Sequence, residues 1–272
     1  MKYNLAFKYR IYPNKEQELL INKTFGCVRF VYNTILYTAN KIYEETGKNK
    51  IITPASLKSE NQFLKEVDSL ALSNAQLNVK RSFTNFFQKR AKFPRFKSKK
   101  TSVKSYTTNC VNNSIRIEEN KYLVLPKLKR IKLKYHREIP KDYKIKSVTL
   151  TNSNGNYYVS ILTEFEKEIQ KMPSSNKIIG LDFSMSELFV SSENQRADYP
   201  RYFRMLEEKL KKLQKSLSRK VKFSKNWYRQ KAKISKLHEY IKNCRRDFLH
   251  KLSKKLSEEY NAVVVEDLNM KG

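Results

Sequence analysis

Residues 2–12 alternate: Tyr3, Leu5, Phe7, Tyr9 and Ile11 share one side of an extended chain, Lys8 and Arg10 the other. A period of two with aromatic enrichment predicts a half-buried strand, closed by Pro13. The period then lengthens. Asn14, followed three residues on by Gln17, has the form of a capping box. Leu20, Thr24, Cys27, Val31, Ile35 and Tyr37 carry an apolar helical face on towards Gly47. A second helical stretch is expected after Thr53, with Pro54 in its first turn. A third, from Ser73 to about Lys89, carries Ala75, Leu77, Val79, Phe83 and Phe86.

Beyond it, "FFQKRAKFPRFKSKK" interleaves aromatics with cations, and Pro94 and the lysines argue against a continuing helix. It is either a solvated basic linker or a phosphate-tracking connector. Phe93 and Phe96 then pack on protein or stack on bases. From about Ser105 to Phe165 the texture returns to strand. "NSIRIEENKYLVLPKLKRIKLKYH" alternates, and "KIKSVTLTNSNGNYYVSILTEF" predicts a hairpin turning at Asn152–Asn156 around Gly155. A first strand separated from later strands by a helical block suggests a β-barrel with a helical insertion. The polar stretch Glu166–Asn176 is the best domain boundary.

After the boundary, Ile178 and Ile179 lead through Gly180 to Asp182, and "ELFVSS" predicts a second short strand. Leu206, Leu210, Leu213 and Leu217 step by four, three and four. Ile234, Leu237, Ile241, Cys244, Phe248, Leu252 and Leu256 keep a similar stripe. "SRKVKFSKNW" interrupts between them. The pattern predicts two long helices in an antiparallel hairpin, with a coiled-coil dimer as the alternative. "AVVVEDL" then returns to strand.

Charge changes the picture most. Lys+Arg 57 against Asp+Glu 26 gives a formal net charge of +31 on 272 residues. Residues 201–260 alone hold twenty Lys/Arg and six Asp/Glu. Such an excess favours a polyanion, because cations that neutralise phosphates release condensed counterions. No apolar stretch approaches the roughly 20 residues of a membrane span, and "MKYNLAFKYRIYP" has no signal-peptide core. Cys27, Cys110 and Cys244 are far apart, odd in number and without a CxxC pair, which points to a reducing cytosol and no zinc site in these residues. His238 and His250 sit among lysines, with a surface or packing role expected. The spacing supports no catalytic triad, and five glycines leave no room for a P-loop.

Two acids share one grammar, an apolar β-rich run ending in a carboxylate: Asp182 after "IIGL" and Glu266 after "AVVV". If both strands are central and parallel, their ends lie side by side. The two carboxylates then repel unless a cation sits between them, and a hard divalent ion with oxygen ligands is the natural occupant. A metal pair in such a site activates water and stabilises the leaving oxygen of a phosphodiester.

"FKYRIYPNKEQ", "FGCVRFVYN", "KFPRFKSKK", "GNYYVSI", "GLDFSM", "DFLHKLSKKL" and "VVVEDLNMKG" follow one another in an order that closely resembles the TnpB (OrfB) proteins of insertion sequences, relatives of type V CRISPR effectors. The resemblance runs over essentially the whole chain. It implies a mixed α+β and α/β chain of two domains. Residues 1–13 and 101–166 would form a wedge-type β-barrel, with 14–100 as an inserted helical recognition lobe. Residues 177–272 would form a partial RuvC-like nuclease domain of RNase H-like fold, with its basic helix hairpin at about 201–259. Family members are RNA-guided, Mg²⁺-dependent DNA endonucleases. Asp182 matches the first catalytic and metal-binding carboxylate and Glu266 the second. Asp267 matches a neighbouring acid that is not a ligand.

Family members continue into a further helix, a zinc ribbon and a third catalytic Asp, none of which these residues contain. The expectation is therefore a C-terminally truncated transposase-associated protein of a mobile element, cytoplasmic or on the nucleoid. It binds guide RNA and DNA, holds Mg²⁺ weakly and cleaves little. A nuclease-inactive RNA-guided repressor, a decayed fragment, or a nuclease completed by a separately encoded C-terminal piece are the alternatives. Nucleic-acid contacts are expected at Lys8, Arg10, Lys89, Arg90, Lys92, Arg95, Lys97, Lys99, Lys100, Arg229, Lys233, Arg245 and Arg246.

Overall fold

A computed structural model describes residues 1–48, 50–100, 102–168, 177–184, 186–197 and 199–267. The chain divides into two units, Met1–Glu168 and Ile169–Gly272. The predicted boundary stretch lies largely outside the described residues.

In the first unit the chain opens with β1 (Lys2–Tyr12), whose inward residues Phe7, Tyr9 and Ile11 are buried while Lys8 and Arg10 face outward. Helix α1 (Lys15–Thr46) starts where the sequence places it. The Asn14 side chain accepts from the Gln17 N–H at 2.8 Å, and Gln17 Oε1 accepts from the Asn14 N–H at 3.0 Å. The Gln17 amide then donates to the Leu128 and Arg130 carbonyls, tying the helix start to the sheet. Gly47, at φ 65°, ends the helix in a left-handed cap that a glycine adopts without steric cost. The helical stretch behind Thr53 is only one turn, α2 (Pro54–Leu57). Helix α3 (Ser69–Phe87) begins four residues earlier than Ser73, because the buried Asp68 caps it.

Two members of the expected apolar faces are misplaced. Tyr37 is 59% exposed and Leu77 is 52% exposed, whereas Leu36, Ala39, Ala71 and Leu72 are buried. A helix face is wide enough that one residue of slip moves a side chain from core to solvent.

The remaining strands of this unit are β2 (Lys104–Asn109), β3 (Arg116–Glu118), β4 (Tyr122–Leu125), β5 (Lys129–Lys134), β6 (Lys144–Ser153) and β7 (Asn156–Glu166). They form a seven-stranded antiparallel sheet in the order β2-β6-β7-β1-β5-β4-β3. The β6–β7 hairpin turns on Asn154 and Gly155, both at positive φ, as the Asn-Gly pair predicts. Among the described residues the hydrogen-bonded order ends at β2 and β3. Helices α1 and α3 pack against it, and one hydrophobic core unites helical and sheet residues from Phe7 through Ile35 and Val79 to Ile161.

The second unit contains a three-stranded sheet in the order β10-β8-β9, from β8 (Ile178–Phe183), β9 (Phe189–Ser191) and β10 (Ala262–Val265). Between β9 and β10 lie α4 (Tyr202–Ser218) and α5 (Lys225–Glu259). The interruption at "SRKVKF" reverses the chain, so the two helices pack as the predicted hairpin. Leu210, Leu237 and Ile241 form its buried seam, flanked by Tyr202, Leu206, Leu213 and Ile234. A buried amide adds specificity, with Gln230 donating to the Leu213 carbonyl at 3.0 Å. With a rise of 1.5 Å per residue, α5 is about 50 Å long and α4 about 25 Å, so the last turns of α5 outrun its partner. There Phe248 packs edge-on against Tyr199. No helix among the described residues is long and apolar enough to cross a membrane.

Asp68 is the joint between α3 and the edge strand β2. One carboxylate oxygen accepts from the Leu70 N–H, the other from the buried Thr108 hydroxyl. Burial, reinforced by this carboxylate, pushes the Tyr106 phenol above its ordinary value. Asp68→Ala removes a helix cap and leaves the Thr108 hydroxyl without its acceptor. A loss of about 2–3 kcal/mol is expected in chemical denaturation of the full chain. The double change with Thr108→Val should recover part of it.

Candidate cation site and nucleic-acid interface

Strand β10 lies parallel to β8, with Ala262 opposite Ile178, Val263 opposite Ile179, Val264 opposite Gly180 and Val265 opposite Leu181. The next positions along the two strands are Glu266 and Asp182. The two acids, 84 positions apart in sequence, therefore follow one another's register at the same end of a parallel pair. Period-two alternation puts Gly180, Asp182, Val264 and Glu266 on one face and buried Ile179 on the other.

Those four residues, with Leu181, Val190, Ser191, Ser192 and Val265, line one open cleft of about 410 Å³. Ser192 anchors its floor. Its hydroxyl accepts from the Gly180 N–H at 3.1 Å, and its own N–H donates to the Gly180 carbonyl at 2.9 Å. Asp182 and Glu266 are both exposed, which leaves their oxygens free to meet water, a cation or a phosphate. Tyr260 holds the approach to β10, donating its hydroxyl to Glu193 at 2.7 Å.

The donor set fits a hard divalent cation. Mg²⁺ commonly takes one or two protein carboxylates and fills its remaining octahedral positions with water and substrate phosphate oxygens. Among the described residues no group of three or more His, Cys, Asp or Glu side chains is placed to hold a metal ion. The three cysteines are free thiols, Cys27 buried and Cys110 and Cys244 half-buried.

The predicted cationic contacts fall in separate places. Lys8 and Arg10 stand on the outward face of β1. The Lys8 ammonium lies 4.8 Å from the Tyr158 ring centre, and Arg10 donates to the Asn156 side chain at 2.7 Å while stacking near Tyr12. Lys89, Arg90, Lys92, Arg95, Lys99 and Lys100 are exposed along the connector after α3. Lys97 is different. Its backbone is clasped by the Asn33 amide in both directions, and its ammonium sits 4.0 Å above the Tyr32 ring. Burial lowers its pKa from the ordinary lysine value. Phe93 packs edge-on against Phe83 and Phe86 and is 48% exposed. Phe96 is 57% exposed. Arg229, Lys233, Arg245 and Arg246 are exposed along α5, with Arg246 donating to His250 at 3.1 Å.

Sequence reasoning missed the breadth of the outer sheet face. Register places Arg10 beside Lys134 and Tyr158, and Tyr12 beside Lys132, which in turn pairs with Tyr122. On the other flank Thr107 pairs with Thr149, and Thr149 with Ser160. The face thus joins a basic and aromatic half to a hydroxyl-rich half. Its signal was present in the polar phase of each alternating strand, but adjacency required the register.

Comparisons with known proteins bear on both units. The OrfB_IS605 family model, described as a probable transposase, matches residues 160–272. A companion model, described as a helix-turn-helix domain, matches residues 1–48. Here those residues form a strand and one unbroken helix, β1 and α1, in place of two helices and a turn. The chain is 35% identical over 279 aligned residues to a protein of Escherichia coli K12 named as an RNA-guided DNA endonuclease, InsQ. The alignment covers 99% of this chain and 67% of the relative. A Streptomyces pristinaespiralis protein, also named as an RNA-guided DNA endonuclease, is 34% identical, with 98% and 67% covered. Among solved structures, the fold resembles that in a complex of Cas12f1 with single-guide RNA and target DNA. There the TM-score is 0.55 at 11% identity, over 98% of this chain and 81% of that one. The two family matches and the alignment of nearly the whole chain with these relatives place it in the TnpB (OrfB) family of insertion-sequence proteins.

Proposed function

We propose that the chain is a guide-RNA- and DNA-binding protein of a mobile element, with Asp182 and Glu266 forming a Mg²⁺ site for phosphodiester hydrolysis. One observation carries this reading: the β8–β10 register that brings two carboxylates from distant sequence to one open cleft. The similarity to proteins named as RNA-guided DNA endonucleases supports the choice of substrate. In the same reading, the sheet of the first unit is the wedge domain, residues 14–100 are the recognition lobe, and the second unit is RuvC-like. The order β9-β8-β10, two antiparallel strands with a parallel third, is consistent with an RNase H-like sheet.

The residues divide the work by chemistry. Asp182 and Glu266 supply the hard, anionic oxygens that would hold the cation. Gly180, which carries no side chain, keeps the cleft beside the two acids open, so the sugar-phosphate chain can approach the carboxylates. A divalent cation held by Asp182 and Glu266 would supply the activation of water and the stabilisation of the leaving oxygen. Lys8, Arg10, Lys132 and Lys134 neutralise backbone phosphates on the sheet face, and the exposed α5 cations do the same on the second unit. Among the described residues no third anionic donor joins these two carboxylates, so the ion is held weakly and cleavage is slow. That donor set favours a second reading, RNA-guided occupancy of DNA without efficient cutting.

Three outcomes are expected. In thermal unfolding, Mn²⁺ at about ten times its Kd raises the melting temperature of the wild type by roughly 2–4 °C. The same ion leaves Asp182→Ala and Glu266→Ala unmoved. The Lys8→Gln/Arg10→Gln double variant binds RNA more weakly at every sequence, and the slope of log K against log salt drops by about two. With the element's own RNA, a target plasmid and Mg²⁺, the wild type binds the target and cleaves it slowly or not at all. Rapid cleavage abolished by Asp182→Ala would overturn the limit set by two carboxylates. Failure to bind RNA or DNA would overturn the function itself.

A further inference from the structure

The turn between α4 and α5 carries a group of side chains that the folding of the hairpin does not explain. Val221 is 79% exposed, Phe223 is 73% exposed and Tyr228 is 54% exposed. None of them joins the seam at Leu210, Leu237 and Ile241, which already holds the helices together. Phe223 also has φ 68°, a left-handed backbone conformation that bulky residues rarely adopt. The turn is set by backbone hydrogen bonds, Lys220 N–H to the Leu217 carbonyl and Ser224 N–H to the Val221 carbonyl. Ser224 then caps α5 by accepting from the Trp227 N–H at 3.2 Å. A glycine or asparagine at 223 would fit this turn with less strain, yet the position presents a phenyl ring to solvent.

Behind the exposed ring stands a braced aromatic group. Phe223 and Trp227 are tilted by 53° with centres 5.6 Å apart, and Trp227 meets the edge of Tyr228 at 5.1 Å. Lys231 lies 4.9 Å from the Trp227 ring centre. From Arg219 to Lys233 the chain carries seven Lys/Arg and no Asp or Glu. The flanking cations disfavour a second copy of the same tip by repulsion and favour a polyanion. The apolar patch is also short. It ends at Tyr228, and Arg229, Lys231 and Lys233 follow, so it matches one or two nucleobases rather than the extended apolar face of a membrane-surface helix.

We propose that the α4–α5 tip is a nucleic-acid wedge, with Phe223 stacking on an unpaired base or an open duplex end while the adjacent cations hold the flanking phosphates. The proposal rests on the nucleic-acid-binding function above and assigns that function a specific contact. Exposed Val221 gives the wedge its second apolar edge.

Trp227 is the only tryptophan in the chain, so its fluorescence reports on this tip alone. The full-length protein is titrated with a fluorescein-labelled oligo(dT) of about 20 nucleotides, enough to span a stacking groove, following anisotropy and tryptophan emission on parallel samples. The expected result is a rise in anisotropy together with quenching of Trp227. Phe223→Gly relieves the left-handed strain, so its melting temperature should equal or exceed that of the wild type. Its affinity for the oligonucleotide should nevertheless fall roughly tenfold or more. Anisotropy that rises with Trp227 emission unchanged would overturn the wedge while leaving nucleic-acid binding intact. So would Phe223→Gly binding within twofold of the wild type. A flat anisotropy with both oligo(dT) and the element's RNA would instead overturn the underlying function. A blue shift with phosphatidylglycerol vesicles and no response to oligo(dT) would assign the tip to a lipid surface and overturn the proposal.

Discussion

Successive side chains on a strand point to opposite faces, and both candidate sites depend on that alternation. On β1 it sends Phe7, Tyr9 and Ile11 into the core and Lys8 and Arg10 out. Because β1 lies mid-sheet, between β7 and β5, its polar phase joins theirs into one continuous outer face. A slip of one residue in either ladder would bury lysines and expose the core. The apolar contacts of the inner face therefore decide the register, and the register decides which cations and tyrosines become neighbours.

The same rule works in the second unit with more at stake. Val264 beside Gly180 and Val265 beside Leu181 put the two acids on one face of the pair. An ordinary core would separate or neutralise two adjacent carboxylates, since like charges in a shared site disfavour ionisation. Here they stand exposed at the mouth of a cleft, where solvent screens them. Val263, Val264 and Val265 are themselves 41–64% exposed, so apolar area that would help hold β10 in place is in contact with water. The ladder to β8 and the Tyr260–Glu193 hydrogen bond carry that strand.

Local signals were strong where the physics is local. The capping box at Asn14–Gln17, the glycine stop at Gly47, the Asn-Gly hairpin and the heptad-like seam of α4 and α5 all read directly, since each involves residues within a few positions of one another. The misses have a common cause. Asp68 was not seen as a cap, because its value lies partly in the Thr108 hydroxyl forty residues away. Tyr37 and Leu77 are apolar and correctly phased to within one residue, yet only the packing of α1 on α3 and the sheet decides which side of the stripe is buried. The contact of Phe93 with Phe83 and Phe86 is likewise invisible in the sequence, since it joins the connector back to α3.

The sequence by itself determined the alternation, the helix periods, the excess of cations and the family, because these follow from residue order alone. It also marked Asp182 and Glu266 as a matched pair of strand-ending acids. Only the tertiary structure decided that these acids share a cleft, that the hydrogen-bonded order among the described residues ends at β2 and β3, and that the strained, exposed Phe223 sits at the tip of a basic hairpin. Register, strand order and exposure depend on contacts between segments far apart in the chain, and no local window of residues contains them.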